Sequence, residues 1–126
     1  TTAFAESCNS PFASIGVDLG KSKLTQTAES LLFNSKLPVP IEYNKSRFDL
    51  GEHPGNPLLM QTSIGQGKTQ ITPMHLNMIT CAIANNGVLM KPYAIDHVEN
   101  DEGTVIKSLR QSDVRRRVCD SQTTDD

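Results

Sequence analysis

The sequence contains no tryptophan, and aromatic residues make up only 5% of its 126 positions. Hydrophobic residues account for 37%, whereas globular domains usually have close to half of their residues apolar. A chain of this length fits one domain or a large part of one. The shortage of apolar residues favours a domain that is completed by surface from outside this chain, although a small polar domain would have the same composition.

The chain also lacks a large excess of either charge, with a formal net charge of −2 and an isoelectric point of about 5.9. Nucleic-acid-binding domains usually have a basic face, so we expect no nucleic acid partner. The one basic run, residues 115–117, is short and lies between Asp113 and Asp120. We interpret it as the solvated face of a helix.

No apolar run approaches the ~20 residues that span a bilayer as a helix, and no signal peptide opens the chain. We therefore expect any contact with a membrane to be made through an anchor that lies outside this chain.

The cysteines and histidines are too scattered for a metal site. Cys8, Cys81 and Cys119 contain no CxxC pair and have no histidines at zinc-ligand spacing. We therefore expect neither a metal nor a cofactor, and we interpret Cys8 and Cys81 as buried free thiols. A phosphate-binding loop is also not expected around residues 66–69, because Thr62 stands where that loop needs glycine.

Helix signals dominate the first third of the chain. Pro11 follows a capping serine, and apolar residues recur at helical spacing up to Gly20, which predicts one helix. Ser22 can cap a second helix that ends near Phe33. The prolines and polar residues of 35–57 then predict a long surface loop.

The most clearly marked element is a helix over 72–87. Thr72 is a good N-cap, proline follows it, and Gly87 supplies a left-handed stop. Because Leu76 and Ile83 belong to an apolar stripe with further apolar residues beside it, we expect this helix to be buried on more than one side. His75, in its first turn, is expected at the surface.

A small β-hairpin is expected over 93–107, where two β-prone runs flank a polar turn that contains glycine. Ser112 resembles the start of a final helix, and residues 119–126 should form a frayed tail. The predicted fold class is therefore mainly α with a small β-hairpin.

Ser7-Cys8-Asn9 is a candidate site. Short polar side chains at i and i+2 of a non-helical turn can project to one side while the middle residue turns inward. A hydroxyl and a carboxamide held in this way can relay a proton and hold a substrate amide. Taken alone the tripeptide is a weak signal, and a turn that caps the following helix is the favoured interpretation.

The order of several short motifs is more specific than any one of them. From about Phe4 to Ser108 the chain resembles the transpeptidase domain of penicillin-binding proteins, most closely the monofunctional class B enzymes of Gram-positive type. The segments that resemble the family follow in its order: SCN (7–9), LLFN (31–34, without the family's usual glycine), QTSIGQG (61–67), TPM (72–74), AIANNG (82–87) and KPY (91–93).

The resemblance implies a serine acyltransferase. In that family an SxxK serine attacks the D-Ala-D-Ala stem peptide with its lysine as base, and a KTG motif binds the substrate carboxylate. Ser7 would pass a proton towards the leaving amine, and Asn9 would hold the substrate amide. The implied partners are peptidoglycan stem peptides, β-lactams and the remaining parts of the transpeptidase domain, at the extracytoplasmic face of a bacterial cell membrane.

Two of the family's three motifs are missing from this chain. None of its lysines has a serine three positions earlier, and Lys68-Thr69 is followed by Gln70 instead of glycine. We therefore interpret residues 1–126 as an internal piece of the domain, its helical part, that is inactive on its own because it has no nucleophile.

Two other classes remain open. A non-catalytic helical module that binds peptidoglycan or a cell-wall or division partner would contain the same segments. A related serine hydrolase, such as a β-lactamase or a carboxypeptidase, is the third possibility. An SxxK motif upstream and a KTG motif downstream would favour the transpeptidase.

Overall fold

The computed structural model describes residues 2–109, 114–120 and 123. Within them the chain is mainly helical, with short antiparallel strands towards its C-terminal end. The elements in chain order are α1 (Thr2–Ala5), α2 (Asn9–Ser30), α3 (Asn56–Ser63), α4 (Pro73–Ala84), β1 (Val88–Met90), β2 (His97–Glu99), β3 (Val105–Ser108) and β4 (Val114–Arg117).

Helix α2 combines the two helices predicted in the first third of the chain. Its backbone leaves the helical conformation at Gly20, with φ 68° and ψ 177°, a region that glycine enters without the steric cost of a Cβ atom. The predicted break is thus present as a kink within one helical run.

Helices α2 and α3 pack closely at Gly16, which is buried. A Cβ atom at this position would lie 1.7 Å from Ser63 Oγ and 3.3 Å from the carbonyl oxygen of Leu59. Only a residue without a side chain allows the helices to approach to this distance. Ser63 Oγ donates to the same Leu59 carbonyl at 2.8 Å, which keeps the hydroxyl satisfied inside the contact.

The segment between α2 and α3 has no helix or named strand, but it is well anchored. Asn34 donates from Nδ2 to the carbonyl of Phe48 and accepts from its amide, at 2.9 and 3.0 Å. Arg47 and Gln70 exchange two backbone hydrogen bonds. Helix α3 begins at Asn56, within the predicted 35–57 loop, because proline is favoured in the first turn of a helix.

Helix α4 begins as its sequence predicts. Thr72 is the N-cap and its hydroxyl accepts from the amide of His75 at 3.3 Å. The predicted burial on more than one side is wrong for the described chain, since Leu76 and Ile83 are 53% and 50% exposed. The helix buries one face instead, formed by His75, Met78 and Ala82.

His75 also contradicts its predicted surface position, because it is 0% exposed. Its Nε2 atom lies 2.7 Å from the carbonyl oxygen of Leu31, and its ring packs against Phe33 with centroids 4.9 Å apart. The histidine therefore joins the first turn of α4 to the residues that follow α2. Capping signals determine where α4 begins, but the segments that pack against the helix determine which of its faces is buried.

The main core lies between α4, β1 and the irregular segment. Its buried members are Leu32, Leu37, Met78, Ala82 and Leu89. Tyr43 packs against this cluster, and its hydroxyl forms hydrogen bonds with the backbone of Leu37. The irregular segment is thereby held over the core.

The chain after residue 113 does not form the predicted helix. Residues 112 and 113 lie outside the described part, and Val114–Arg117 is strand β4, antiparallel to β1. The amide of Val118 donates to the carbonyl of Gly87 at 2.8 Å, and its side chain packs against the core. A strand is favoured because β1 needs a partner for its backbone groups. Arg116 and Arg117 are thus exposed on a strand.

Strands β2 and β3 form an antiparallel pair with an irregularity between Val98 and Glu99. The turn between the strands is held by the Asn100 side chain, whose Oδ1 accepts from the amides of Glu102 and Thr104. The paired residues occupy a smaller range than the predicted 93–107 hairpin. Most of the predicted frayed tail, 119–126, lies outside the described residues.

Candidate functional site

Ser7 occupies a strained backbone position between α1 and α2. Its φ of 51° lies in the left-handed region. The amide of Ser7 donates to Phe4 and that of Cys8 to Ala3, at 3.1 and 2.8 Å. These two bonds form a Schellman motif with Ser7 at the position that glycine usually takes. Non-glycine residues in such conformations are concentrated at functional sites, and this observation favours a functional interpretation of Ser7.

Cys8 and Asn9 start the long helix. Cys8 is the N-cap of α2, with extended backbone angles (φ −79°, ψ 115°) and no capping hydrogen bond from its side chain. Asn9 is the first residue of the helix. The alternative explanation, that polar side chains in the tripeptide serve as helix caps, therefore does not describe this turn.

All three side chains of the tripeptide are exposed. The sequence predicted a buried thiol at Cys8, and this is wrong for the described chain because the N-cap residue lies beyond the end of the helix, where no other element covers it. Cys81 is exposed as well. Within the part of the chain that is described, the Ser7 hydroxyl and the Asn9 carboxamide have no hydrogen-bond partner, so both groups are available to a ligand.

The turn is braced on one side by an aromatic contact. Phe4 of α1 and Phe12 of α2 meet edge to face with their ring centroids 6.3 Å apart. This contact fixes the angle between the short helix and the long one, although Phe4 remains 79% exposed. The position of Ser7 is thus determined by the backbone motif and by this ring pair.

The side chains of this turn are not sufficient for covalent catalysis. A hydroxyl and a carboxamide can donate, accept and relay protons, but covalent catalysis also needs an activated nucleophile and a base beside it. Over the described ranges, no group of three or more His, Cys, Asp or Glu residues could hold a metal ion. No described helix is long and apolar enough to cross a membrane.

A polar cavity lies elsewhere in the described chain, and sequence reasoning missed it. A cavity of about 450 Å³ opens between the irregular segment and the chain that precedes α4, and its lining is entirely polar: Asn34, Asn44, Lys45, Ser46, Arg47 and Gln70. No local motif marks these residues, because Gln70 is brought to the others only by its pairing with Arg47.

Comparison with known proteins gives a match along the whole chain. The family model for the penicillin binding protein transpeptidase domain matches residues 1–126. The peptidoglycan D,D-transpeptidase PbpA of Mycolicibacterium smegmatis is 29% identical over 117 residues, which are 92% of this chain and 23% of that protein. PbpA of Mycobacterium tuberculosis is 31% identical over 117 residues, again 92% of this chain and 23% of that protein. The chain thus spans about a quarter of the curated relatives that it matches.

Solved structures agree. The imipenem acyl-enzyme complex of penicillin-binding protein A from M. tuberculosis superposes with a TM-score of 0.83 at 29% identity, and the match covers 98% of this chain and 28% of that one. The predicted mainly helical class with a small antiparallel strand pair is therefore confirmed.

Proposed function

The chain belongs to the family of penicillin-binding protein transpeptidase domains, and on that premise we propose that it is part of a serine D,D-transpeptidase that cross-links peptidoglycan stem peptides. The observation that supports this most directly is the match to the family over the whole chain, together with relatives named as D,D-transpeptidases. Acylation by β-lactams is proposed because the similar solved structure is an imipenem acyl-enzyme.

Ser7 and Asn9 are the site residues of this proposal. The serine that attacks the stem peptide belongs to an SxxK motif, which this sequence does not contain. Ser7 relays a proton from the lysine of that motif to the amine that leaves. Asn9 holds the amide of the substrate. The strained backbone of Ser7, and the absence of any hydrogen bond to either side chain from the described residues, support these roles.

The 126-residue chain is proposed to be inactive by itself. Without the nucleophile no acyl-enzyme can form, and without KTG the substrate carboxylate has no binding group. The remaining parts of the domain would contact the exposed apolar face of α4, where Leu76 and Ile83 have no described partner element. The complete protein would act at the extracytoplasmic face of the membrane, where peptidoglycan is cross-linked.

Mass spectrometry of the intact protein after incubation with penicillin tests the proposal. We expect an adduct on a longer protein that contains SxxK, this chain and KTG, and none on the 126-residue chain. An adduct on the short chain would show that one of its own serines is the nucleophile. If neither protein is labelled, the transpeptidase proposal fails, and a non-catalytic module that binds peptidoglycan or a division partner is favoured.

The role of Ser7 is tested in the longer protein with Ser7→Ala and with Ser10→Ala as a matched control, since Ser10 is an exposed serine in the first turn of α2. Loss of a general acid–base relay costs about 10²- to 10⁴-fold in rate. We expect Ser7→Ala to slow acylation within this range and Ser10→Ala to leave it unchanged. Equal effects of the two variants would contradict the relay role.

A further inference from the structure

We propose that the polar cavity between residues 34–47 and Gln70 is a binding site for an acidic saccharide, that is, a ligand with carboxylate or phosphate groups beside hydroxyl and amide groups. It lies at the opposite end of α2 from Ser7, because Asn34 follows the last turn of that helix whereas Ser7 precedes its first. The proposal rests on the proposed function for the source of the ligand, since peptidoglycan is a saccharide with peptide carboxylates.

The charge of the lining is the first observation. Lys45 and Arg47 both line the cavity, and no carboxylate does, although acidic residues outnumber basic ones in the chain as a whole. Neither cation forms an ion pair among the described residues. The acidic residues on either side in sequence are Glu42, which lines a neighbouring cavity that shares Lys45, and Asp49, which accepts from the amide of Gly51. Two cations without carboxylate partners favour an anionic ligand.

The remaining lining residues favour a saccharide over a bare anion. Asn44 and Gln70 present carboxamides that both donate and accept hydrogen bonds, which suits hydroxyl and acetamido groups. The Asn34 carboxamide is committed to the backbone of Phe48 and acts as a fixed wall. The volume of about 450 Å³ lies within the usual range for small-molecule sites, roughly 300–1,000 Å³.

The cavity is held in shape before any ligand arrives. The amide of Arg47 donates to the carbonyl of Gln70 at 2.8 Å, and the reverse bond measures 2.9 Å. Ser46 is 3% exposed, and its hydroxyl accepts from the amide of Thr72 at 3.1 Å. The amide of Asn34 donates to the carbonyl of Ser46 at 2.9 Å. A preformed site loses less conformational entropy when it binds.

Titration of the longer protein that contains SxxK, this chain and KTG with small probes, followed by the NMR shifts of its backbone amides, tests the proposal. The probes are muramyl dipeptide as the carboxylate source, glycerol 3-phosphate as the phosphate source and chitotriose as a neutral saccharide. We expect muramyl dipeptide to shift the amides of Arg47 and Gln70, and its binding to weaken as salt is raised, because salt screens exposed charges.

The double variant Lys45→Gln/Arg47→Gln should weaken binding by at least about tenfold, since it removes both charge-assisted contacts. Lys23→Gln/Lys107→Gln removes the same charge from exposed positions outside the cavity and should leave binding unchanged. Preserved shifts of the Gln70 and Thr72 amides, which donate to the backbone of residue 47 and to Ser46 Oγ, would show that the cavity is still formed in the unliganded double variant. If the cavity is lost in the double variant, Lys45→Gln alone, which removes one of the two charges of the cavity, should weaken binding and Lys23→Gln should not.

The titrations distinguish between the two anion sources and can overturn the proposal. Variant-sensitive binding of glycerol 3-phosphate but not of muramyl dipeptide would keep the anion site and assign phosphate as its source. Equal losses in the cavity and control variants, equal binding of chitotriose, or no shifts near the cavity would overturn the proposal. Penicillin acylation is measured separately, so failure here does not depend on whether the transpeptidase proposal holds.

Discussion

The two ends of α2 belong to regions that are built differently. The site region, residues 2–20, leaves Ser7, Asn9 and most of Phe4 exposed. The core region, which consists of residues 31–50, α4 and β1, contains the buried cluster around Leu89. Stability is thus concentrated at one end and candidate chemistry at the other. Left-handed backbone does not follow this division, because Ser7 has φ 51° in the site region whereas Leu32 and Asn34 have φ 71° and 60° in the core region.

The largest change in the free energy of unfolding is expected from a substitution in the core region. Leu89 is 1% exposed, so Leu89→Ala should lower the free energy of unfolding by about 2–5 kcal/mol through lost burial and a cavity. Leu76→Ala is the matched control at an exposed position and should cost less than about 1 kcal/mol. Urea denaturation of the three proteins measures the difference.

The same pair of variants sharpens the comparison in a longer protein. If the rest of the domain covers the exposed face of α4, Leu76→Ala should become nearly as destabilising there as Leu89→Ala. An unchanged cost would mean that this face stays open to solvent, and that the contacts proposed for α4 are wrong.

A smaller loss of stability is expected from a substitution at the contact between the site region and α3. Gly16→Ala places a Cβ atom 1.7 Å from Ser63 Oγ and should destabilise by about 1–3 kcal/mol, because the helices must move apart. Ser63→Gly removes the clashing atoms, so the double variant should be more stable than the sum of the single costs predicts. Thermal or urea unfolding of all four proteins completes this cycle, and simple additivity would show that the helices do not meet as described.

Removal of the N-cap of α4 should lower the free energy of unfolding by about 1 kcal/mol. Thr72→Ala removes the side-chain acceptor for the amide of His75, and loss of an N-cap typically costs this amount. Thr80→Ala, at an exposed position inside the same helix, is the control and should be neutral or slightly stabilising, since alanine has the higher helix propensity. Equal losses in urea denaturation would argue against the capping role.

The smallest expected change in the free energy of unfolding is a stabilisation. Ser7→Gly should stabilise the chain by about 0.5 kcal/mol, because glycine adopts the left-handed conformation without the serine's steric cost but loses more entropy on folding. In the longer protein the same change should reduce acylation by penicillin. Higher stability would show that the left-handed backbone at Ser7 has a steric cost, and slower acylation would follow from loss of the hydroxyl, whereas lower stability would contradict the strained geometry.

Local signals along the chain predict the structure where a few adjacent residues decide the outcome. Thr72-Pro73 marks the start of α4, and Gly20 marks the break in α2. Cap and break preferences act through backbone hydrogen bonds and steric limits within one turn, so they are visible without tertiary structure. The sequence also identifies Ser7 and Asn9 as candidates, but it does not predict the left-handed backbone of Ser7.

The sequence by itself determined the start of α4, the break in α2 at Gly20 and, through the order of its short motifs, the family, but it predicted neither α1 nor α3. Only the tertiary structure decided that residues 114–117 form a strand and that His75 is buried on the packed face of α4. It also decided that Arg47 and Gln70 line the same cavity. These outcomes depend on pairing between segments more than 20 residues apart, where the need to satisfy backbone groups and bury apolar surface overrides local preference.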